Sequence, residues 1–194
     1  MAPNPVSFDA RANRLKASKF FPIPKPFSPK LQWDVSRSGQ LAFTNGDNYA
    51  VTVLDSTGGV RKRLARLIAP RPVTATERDS VTDQLMNPGG RPSASKEYTG
   101  RARDLVAQLP LQHAAIDAIM FDEQSSALWI RRGGTRSDST QWDYYSNALE
   151  YEGTLSLGRN SALIGVRSDT LVVLVRGSLG IPKLAWYAFN RAQQ

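Results

Sequence analysis

The sequence predicts an all-β fold class: successive antiparallel units interrupted by one short helical insertion. Short runs that alternate apolar and polar residues recur from Leu31 onward, separated by Gly, Asn, Ser and Asp turns. The helical spacing of apolar residues is confined to 67–112. Apolar runs such as 170–175 are far below the ~20 residues of a membrane-spanning helix, so we expect no membrane span.

The first unit contains four predicted strands joined by tight turns. Ser38 and Gly39 form one turn, and Gly58 and Gly59 form another. Four antiparallel strands within about 36 residues match the size of one β-propeller blade. The predicted strands are 31–36, 40–44, 49–55 and 60–66.

The insertion contains two predicted helices. Thr74 and Glu77 have the spacing of a capping box, so a helix begins there and continues through about Met86. A second helix is expected over 95–109, with its end marked by Pro110.

Strands resume after the insertion in two further groups. The second group repeats the first: DVSRSGQLAF and YAVTVLDSTGGV align with FDEQSSALWI and WDYYSNALEYEG. An immunoglobulin-like sandwich could also use eleven strands, but it would not explain this repeat. The remaining predicted strands are 114–122, 127–132, 142–146, 149–157, 161–167, 170–176 and 183–189, which gives four, four and three strands.

These units define the predicted organisation of the chain. A basic, Pro-rich arm covers 1–26, and its FPIPKPFSP stretch is expected to be a rigid strap, with a PxxP ligand as the alternative. The predicted segments are a blade at 27–66, the helical insert at 67–112, a blade at 113–157 and an incomplete blade at 158–194.

Three stretches resemble a known family. They are FSPKLQWDVSRSGQLAFTNGDNYAVTVLDSTGGVRKRLAR (27–66), PVTATERDSV (72–81) and FDEQSSALWIRR (121–132). They are similar to bacterial six-bladed, NHL-like β-propeller proteins, usually exported, over residues 21–190 of this chain. The resemblance implies about three blades of the C-terminal half of such a propeller. The sequence departs from the family's turns at Ser126, where Gly is usual, and at Ser146 and Asn147.

Three blades cannot close a ring, because two apolar blade faces would remain uncovered. Two arrangements would cover them. The N-terminal blades of a longer protein are missing from this chain, or two copies associate as a homodimer of three plus three blades.

Composition excludes several kinds of chemistry. The 194 residues contain no Cys, so disulfide scaffolds, Cys-ligated metal sites and thiol nucleophiles are absent. The single His113 disfavours sites that need several imidazoles, and it is interpreted as a surface or capping residue rather than a base. We find no G-x-S-x-G motif and no phosphate-binding loop, and we therefore expect no catalytic residue, cofactor or metal ligand.

The chain is basic, with a formal net charge of +8, and the excess lies in its first half. Residues 1–97 carry a net +7 and residues 98–194 a net +1. Two interpretations of this charge are open: a patch that binds phosphate groups or anionic lipid, or charged side chains that keep exposed strand edges soluble. Because no aromatic residues are interleaved with the basic ones, the second interpretation is favoured over nucleic-acid binding. The basic run contains Arg61, Lys62, Arg63, Arg66 and Arg71.

Two positions are candidates for ligand binding. Arg131 and Arg132 follow Trp129 at a strand end, where they could contact an anionic ligand. The four tryptophans are instead expected to pack between blades; they are Trp33, Trp129, Trp142 and Trp186.

The sequence favours a non-enzymatic, propeller-type binding or scaffold module for a protein or carbohydrate partner. Two alternatives stay open: a metal-dependent lactonase- or lyase-like enzyme at the propeller channel, and a nucleic-acid binder that uses the basic run. The sequence does not fix the compartment; export to the periplasm is expected if a signal lies upstream.

Overall fold

The computed structural model describes residues 25–91, 96–134, 139–158, 160–177 and 179–189. The described chain is mostly β, with three antiparallel sheets of four, four and three strands, and two helices. The elements are β1 (Gln32–Val35), β2 (Leu41–Thr44), β3 (Ala50–Leu54), β4 (Val60–Ala65), α1 (Ala75–Met86), α2 (Lys96–Ala107), β5 (Ile116–Phe121), β6 (Leu128–Arg132), β7 (Ser139–Tyr145), β8 (Tyr151–Gly158), β9 (Ser161–Arg167), β10 (Thr170–Arg176) and β11 (Pro182–Ala188).

Each sheet is a simple meander in which sequential strands are neighbours. Sheet 1 has the order β1-β2-β3-β4, sheet 2 the order β5-β6-β7-β8 and sheet 3 the order β9-β10-β11. Short turns suffice for such antiparallel neighbours, which is why the sequence alternates strands with Gly, Ser and Asp turns.

Sheet 2 is buried on both faces. One core lies between sheets 1 and 2, and a second core forms against sheet 3. Alternation along β6 sends Leu128 and Ile130 into the first core and Trp129 into the second. The first core also contains Tyr49, Val51, Val53, Leu64, Ile119, Phe121, Tyr145 and Leu149, and the second also contains Trp142, Tyr144, Leu163, Val166, Leu171 and Val173.

Among the described residues, sheets 1 and 3 are each covered on one face only. Trp33 of β1 pairs with Phe43 of β2 on the face of sheet 1 that is turned away from sheet 2, and 63% of Trp33 is exposed. Trp186 of β11 pairs with Val172 of β10 on the corresponding face of sheet 3, and 64% of Trp186 is exposed. We call these surfaces the outer face of sheet 1 and the outer face of sheet 3.

The tryptophans therefore divide into two pairs. Trp129 and Trp142 are buried between sheets, as predicted. Trp33 and Trp186 lie exposed on the two outer faces, where the described residues supply no further sheet, so their predicted packing between blades is not seen in this structure and stays a prediction.

The helical insertion leaves and rejoins the sheets at one place. A backbone hydrogen bond runs from Val73 N to Leu111 O (2.9 Å) and another from His113 N to Arg71 O (2.9 Å). The predicted capping box is present: Thr74 Oγ1 accepts from the Glu77 amide, and the Glu77 carboxylate accepts from the Thr74 amide at 2.8 Å.

The predicted strands are confirmed to within a few residues, and the count of four, four and three is confirmed. The largest difference is β7, which begins at Ser139 and not at residue 142, because Ser139 to Gln141 pair with β8 through backbone groups that polar residues also carry.

Ser126 adopts φ +56°, the left-handed conformation that favours glycine. Most of the predicted arm, residues 1–24, lies outside the described residues.

The end of β6 packs closely against the segment that returns from the insertion. Gly133 N donates to Ala115 O (2.9 Å), and a Cβ at Gly133 would lie 2.0 Å from the Ala114 carbonyl oxygen. No side chain fits at that distance, so the sequence requires glycine here.

We expect Gly133→Ala to lower the free energy of unfolding by about 2–4 kcal/mol, because the added methyl group forces the two backbones apart. Urea denaturation followed by circular dichroism measures the change. Gly153→Ala is the matched control, since a Cβ at Gly153 meets no atom within 4 Å. Equal stabilities of the two variants would contradict this account.

Candidate functional site

Arg131 and Arg132, the two candidate ligand-binding residues, point to opposite sides of sheet 2. They are consecutive in β6, and successive strand residues face opposite ways. Arg132 lies on the side of sheet 1, where it contacts Asp143 of β7. Arg131 lies on the other side, where it contacts Asp117 of β5. The structure therefore does not bring them together in one site.

Arg132 belongs to a buried polar network centred on Asp143, whose side chain has no exposed surface. Arg132 donates to both carboxylate oxygens, from Nε to Oδ2 at 2.9 Å and from Nη2 to Oδ1 at 2.7 Å. Thr154 Oγ1 donates at 2.5 Å, the Tyr49 hydroxyl donates to Oδ2, and Arg66 Nη1 forms an ion pair at 3.1 Å. We call these five residues the Asp143 network.

The network holds Asp143 in its charged form. Burial raises the pKa of Asp143, but hydrogen bonds from Arg132, Thr154 and Tyr49 outweigh burial and lower the pKa below its usual range. Burial and the neighbouring carboxylate raise the pKa of Tyr49, so its hydroxyl remains a donor. With its lone pairs occupied by donors, Asp143 fixes the contact of sheet 1 with sheet 2 rather than presenting a free carboxylate.

Sequence reasoning missed Asp143 and Tyr49. The available signal was an acidic residue inside the aromatic strand WDYY, since a carboxylate at such a position requires buried donors. The identity of those donors depends on residues as distant in sequence as Tyr49 and Arg66.

Arg131 lines a cavity of about 550 Å³ at the end of the β5–β6 hairpin. We call it the Arg131 cavity. A bulge at the start of β5 leaves Asp117 unpaired in the ladder, between Ile116 and Ala118, and directs its carboxylate to Arg131 Nε. The lining includes Lys25, Pro26, Phe27, Ser28, Lys30, Gln32, His113, Ile116, Asp117, Arg131, Gly133 and Gly134.

Two interactions position the Arg131 guanidinium. The ion pair with Asp117 holds Nε, and the guanidinium carbon lies 5.6 Å from the centre of the Trp142 ring. Partial burial raises the pKa of Asp117, and the positive charge of Arg131 opposes that increase. The cavity thus contains an oriented guanidinium whose only ion-pair partner in the described chain is Asp117.

His113 forms part of the cavity wall and is engaged by its neighbours. Its Nε2 lies 2.7 Å from Arg71 Nη2 and 3.3 Å from Glu77 Oε2. Its ring packs edge-on against the Phe27 ring, with the ring centres 4.9 Å apart. Arg71 also donates to Glu77 and to the Gly134 carbonyl. His113 therefore connects the helical insertion to the residues that line the cavity.

A second concave surface, of about 440 Å³, lies where β1, β5 and β9 approach one another. Asp34 Oδ2 accepts from the Phe121 amide at 2.7 Å. Asp122 accepts from the amides of Gln124 (2.8 Å), two residues on in its own turn, and of Ser168 (3.1 Å). We call this surface the three-strand cleft.

Most of the basic run forms contacts within the chain. Arg61 donates to Gln40 and to the Asn147 carbonyl, Lys62 pairs with Glu150 at 2.5 Å, and Arg66 and Arg71 pair with Asp143 and Glu77. The contacts with Asn147, Glu150 and Asp143 join sheet 1 to sheet 2, and the pair of Arg71 with Glu77 lies within the insertion, so the run contributes to intramolecular packing.

No protein-family model and no curated protein matches this chain. Within the described ranges, neither helix combines the length and the apolar character needed to cross a bilayer. The same ranges contain no group of three or more acidic or histidine side chains arranged to hold a metal ion.

We expect Asp143→Asn to lower the free energy of unfolding by about 2–4 kcal/mol, because it leaves the partly buried Arg132 and Arg66 without a compensating charge. Chemical denaturation near neutral pH measures the loss. Asp79→Asn, at an exposed position of α1, is the control and should change stability by less than about 0.5 kcal/mol. A similar small effect at both positions would show that the network does not stabilise the fold.

A pH dependence follows from Glu77. Burial raises its pKa, but hydrogen bonds from Arg71, Thr74 and His113 outweigh burial and lower the pKa from 4.5 to about 2. The folded state therefore favours the carboxylate, and this stabilisation is complete above the unfolded pKa and is lost as the pH falls from 4.5 to about 2.

Glu77→Gln should accordingly be less stable than the parent near neutral pH, by about 1 kcal/mol because Glu77 is one-third exposed to screening solvent. The difference should shrink as the pH approaches 2. Denaturation curves at several pH values test this expectation, and a difference independent of pH would contradict it.

Proposed function

We propose that the chain is a non-enzymatic binding or scaffold module of the propeller type, in which the three sheets are consecutive blades. The simple strand order of each sheet and the face-to-face stacking of sheets support this proposal. So does the three-strand cleft, because a propeller brings the first strand of each blade to a common axis, and β1, β5 and β9 all line that cleft.

The observation that carries the proposal is the pair of uncovered outer faces. Trp33 and Val35 are exposed on sheet 1, and Ile164, Leu184 and Trp186 are exposed on sheet 3. Contiguous apolar surface of this kind is typical of a protein–protein contact. The two faces lie at opposite ends of the stack, where another sheet would continue it.

We propose a second copy of the chain as the first partner, with sheet 3 of each copy on sheet 1 of the other. A sheet face of four five-residue strands covers about 300 Å² in projection. A single junction would bury only about 600 Å² over both partners, below the ~1,000 Å² of a specific interface, whereas two junctions reach about 1,200 Å². The area therefore favours a closed, twofold dimer of three plus three sheets.

The alternatives have less support from specific contacts. A nucleic-acid surface would use the basic run, but Lys62, Arg66 and Arg71 are paired with carboxylates of the chain. A metal-dependent enzyme is not favoured by any particular set of described side chains. Both therefore remain secondary to the binding module.

Multi-angle light scattering tests the dimer. We expect the parent chain to have twice its monomer mass, and Trp186→Lys to shift it to monomer, because a charge would be buried in each of the two junctions. A central interface tryptophan contributes about 2 kcal/mol or more, so the dissociation constant should rise by at least about 30-fold.

Leu111→Lys is the matched control. Leu111 is also exposed and apolar, but it lies where the insertion rejoins the sheets and not on an outer face. This variant should remain dimeric. A parent chain that is monomeric at all concentrations would overturn the dimer and favour further blades in a longer protein.

A further inference from the structure

We propose that the Arg131 cavity binds a sugar-sized organic anion through its carboxylate or phosphate group. This inference goes beyond the self-association proposed above. The cavity is formed within one chain, so it should bind its ligand whether or not the outer faces associate.

The charge of the lining favours an anion. Lys25, Lys30 and Arg131 face a single carboxylate, that of Asp117. Neither lysine has an ion-pair partner among the described residues, and both are exposed. An anion entering the cavity would therefore meet uncompensated positive charge, which both attracts it and stabilises it once bound. In the three-strand cleft, by contrast, Arg37 and Arg167 face Asp34 and Glu123, so that surface has no such excess.

The geometry of Arg131 provides a specific contact. Asp117 occupies Nε, and the two terminal nitrogens, Nη1 and Nη2, have no hydrogen-bond partner within the described chain. Two parallel donors of one guanidinium match the two oxygens of a carboxylate or of a phosphate. Because Asp117 and the Trp142 ring already hold the side chain, little conformational entropy is lost when the anion binds.

The size and the remaining lining indicate an organic ligand rather than a bare ion. A volume of about 550 Å³ is within the range of small-molecule sites. Pro26 and Phe27 give one apolar wall, and Ser28 and Gln32 provide groups that can hydrogen-bond hydroxyls. A monosaccharide that carries an acid group combines these features, and the cavity therefore adds an anionic requirement to the expected carbohydrate binding.

Isothermal titration calorimetry with three probes tests the proposal: D-glucuronate, D-glucose 6-phosphate and neutral D-glucose. We expect at least one of the two anions to bind and glucose to give no heat of binding. Binding of glucuronate alone assigns a carboxylate ligand, and binding of the phosphate alone assigns a phosphate ligand.

Two variants locate the binding. Arg131→Gln should weaken it by about tenfold or more, as expected for loss of a charged bidentate contact. Lys30→Gln should weaken it by a smaller factor without affecting folding, since Lys30 is exposed and forms no described ion pair. Arg61→Gln, which removes an equal charge from an arginine bound to Gln40 and Asn147, is the matched control and should bind like the parent.

Several results would overturn the inference. They are no binding of either anion, equal binding of glucose, or full affinity in both Arg131→Gln and Lys30→Gln. Trp186→Lys separates this proposal from the dimer, because a monomeric variant that still binds the anion supports the cavity alone. Loss of binding in that variant, with the fold retained, would show that the cavity of a single chain is insufficient.

Discussion

Burial of sheet 2 on both of its faces is the constraint on which the rest of this structure depends. Sheets 1 and 3 each contribute an apolar face to that burial, and neither sheet has another apolar partner in the described chain. A fully buried side chain such as Leu128 or Ile130 contributes about 1.5–3 kcal/mol through the hydrophobic effect. Sheet 2 therefore lies in the middle of the stack, with sheet 1 on one of its apolar faces and sheet 3 on the other.

The two junctions of sheet 2 are stabilised differently. Against sheet 3, the contact is entirely apolar in its core: Trp129 and Tyr144 pack with Phe189 at ring-centre distances of 4.7–5.3 Å, and aliphatic residues of β9 and β10 complete the cluster. Against sheet 1, an apolar core is combined with the Asp143 network, whose hydrogen bonds require particular distances and directions. Apolar packing is tolerant of small shifts between sheets, whereas a buried carboxylate with several donors is not. We therefore infer that the Asp143 network fixes the register of sheet 1 on sheet 2.

The secondary structure could be predicted because its signals are local, whereas contacts between residues distant in sequence could not be predicted. Alternation and turn residues located the strands, and the Thr74–Glu77 spacing located the start of α1, because these signals act over a few residues. The donors of the Asp143 network include Tyr49, which lies 94 positions away, and no local pattern pairs two such residues. The exposure of Trp33 and Trp186 has the same origin, since their strands look like core strands and only the order of the sheets leaves them uncovered.

Arg131 and Arg132 show why sequence adjacency is a poor guide to shared function in a sheet. Alternation places Arg132 beside the buried Asp143, whose charge it compensates, and Arg131 beside a cavity, where only its Nε forms a hydrogen bond. The charge of Arg132 is compensated by a carboxylate with no exposed surface, so a ligand would have to displace a buried ion pair to reach it. Arg131 faces a partly exposed carboxylate and retains two donors, so a ligand needs to displace only water. Of the two residues predicted together, Arg131 is therefore the one whose surroundings are compatible with binding.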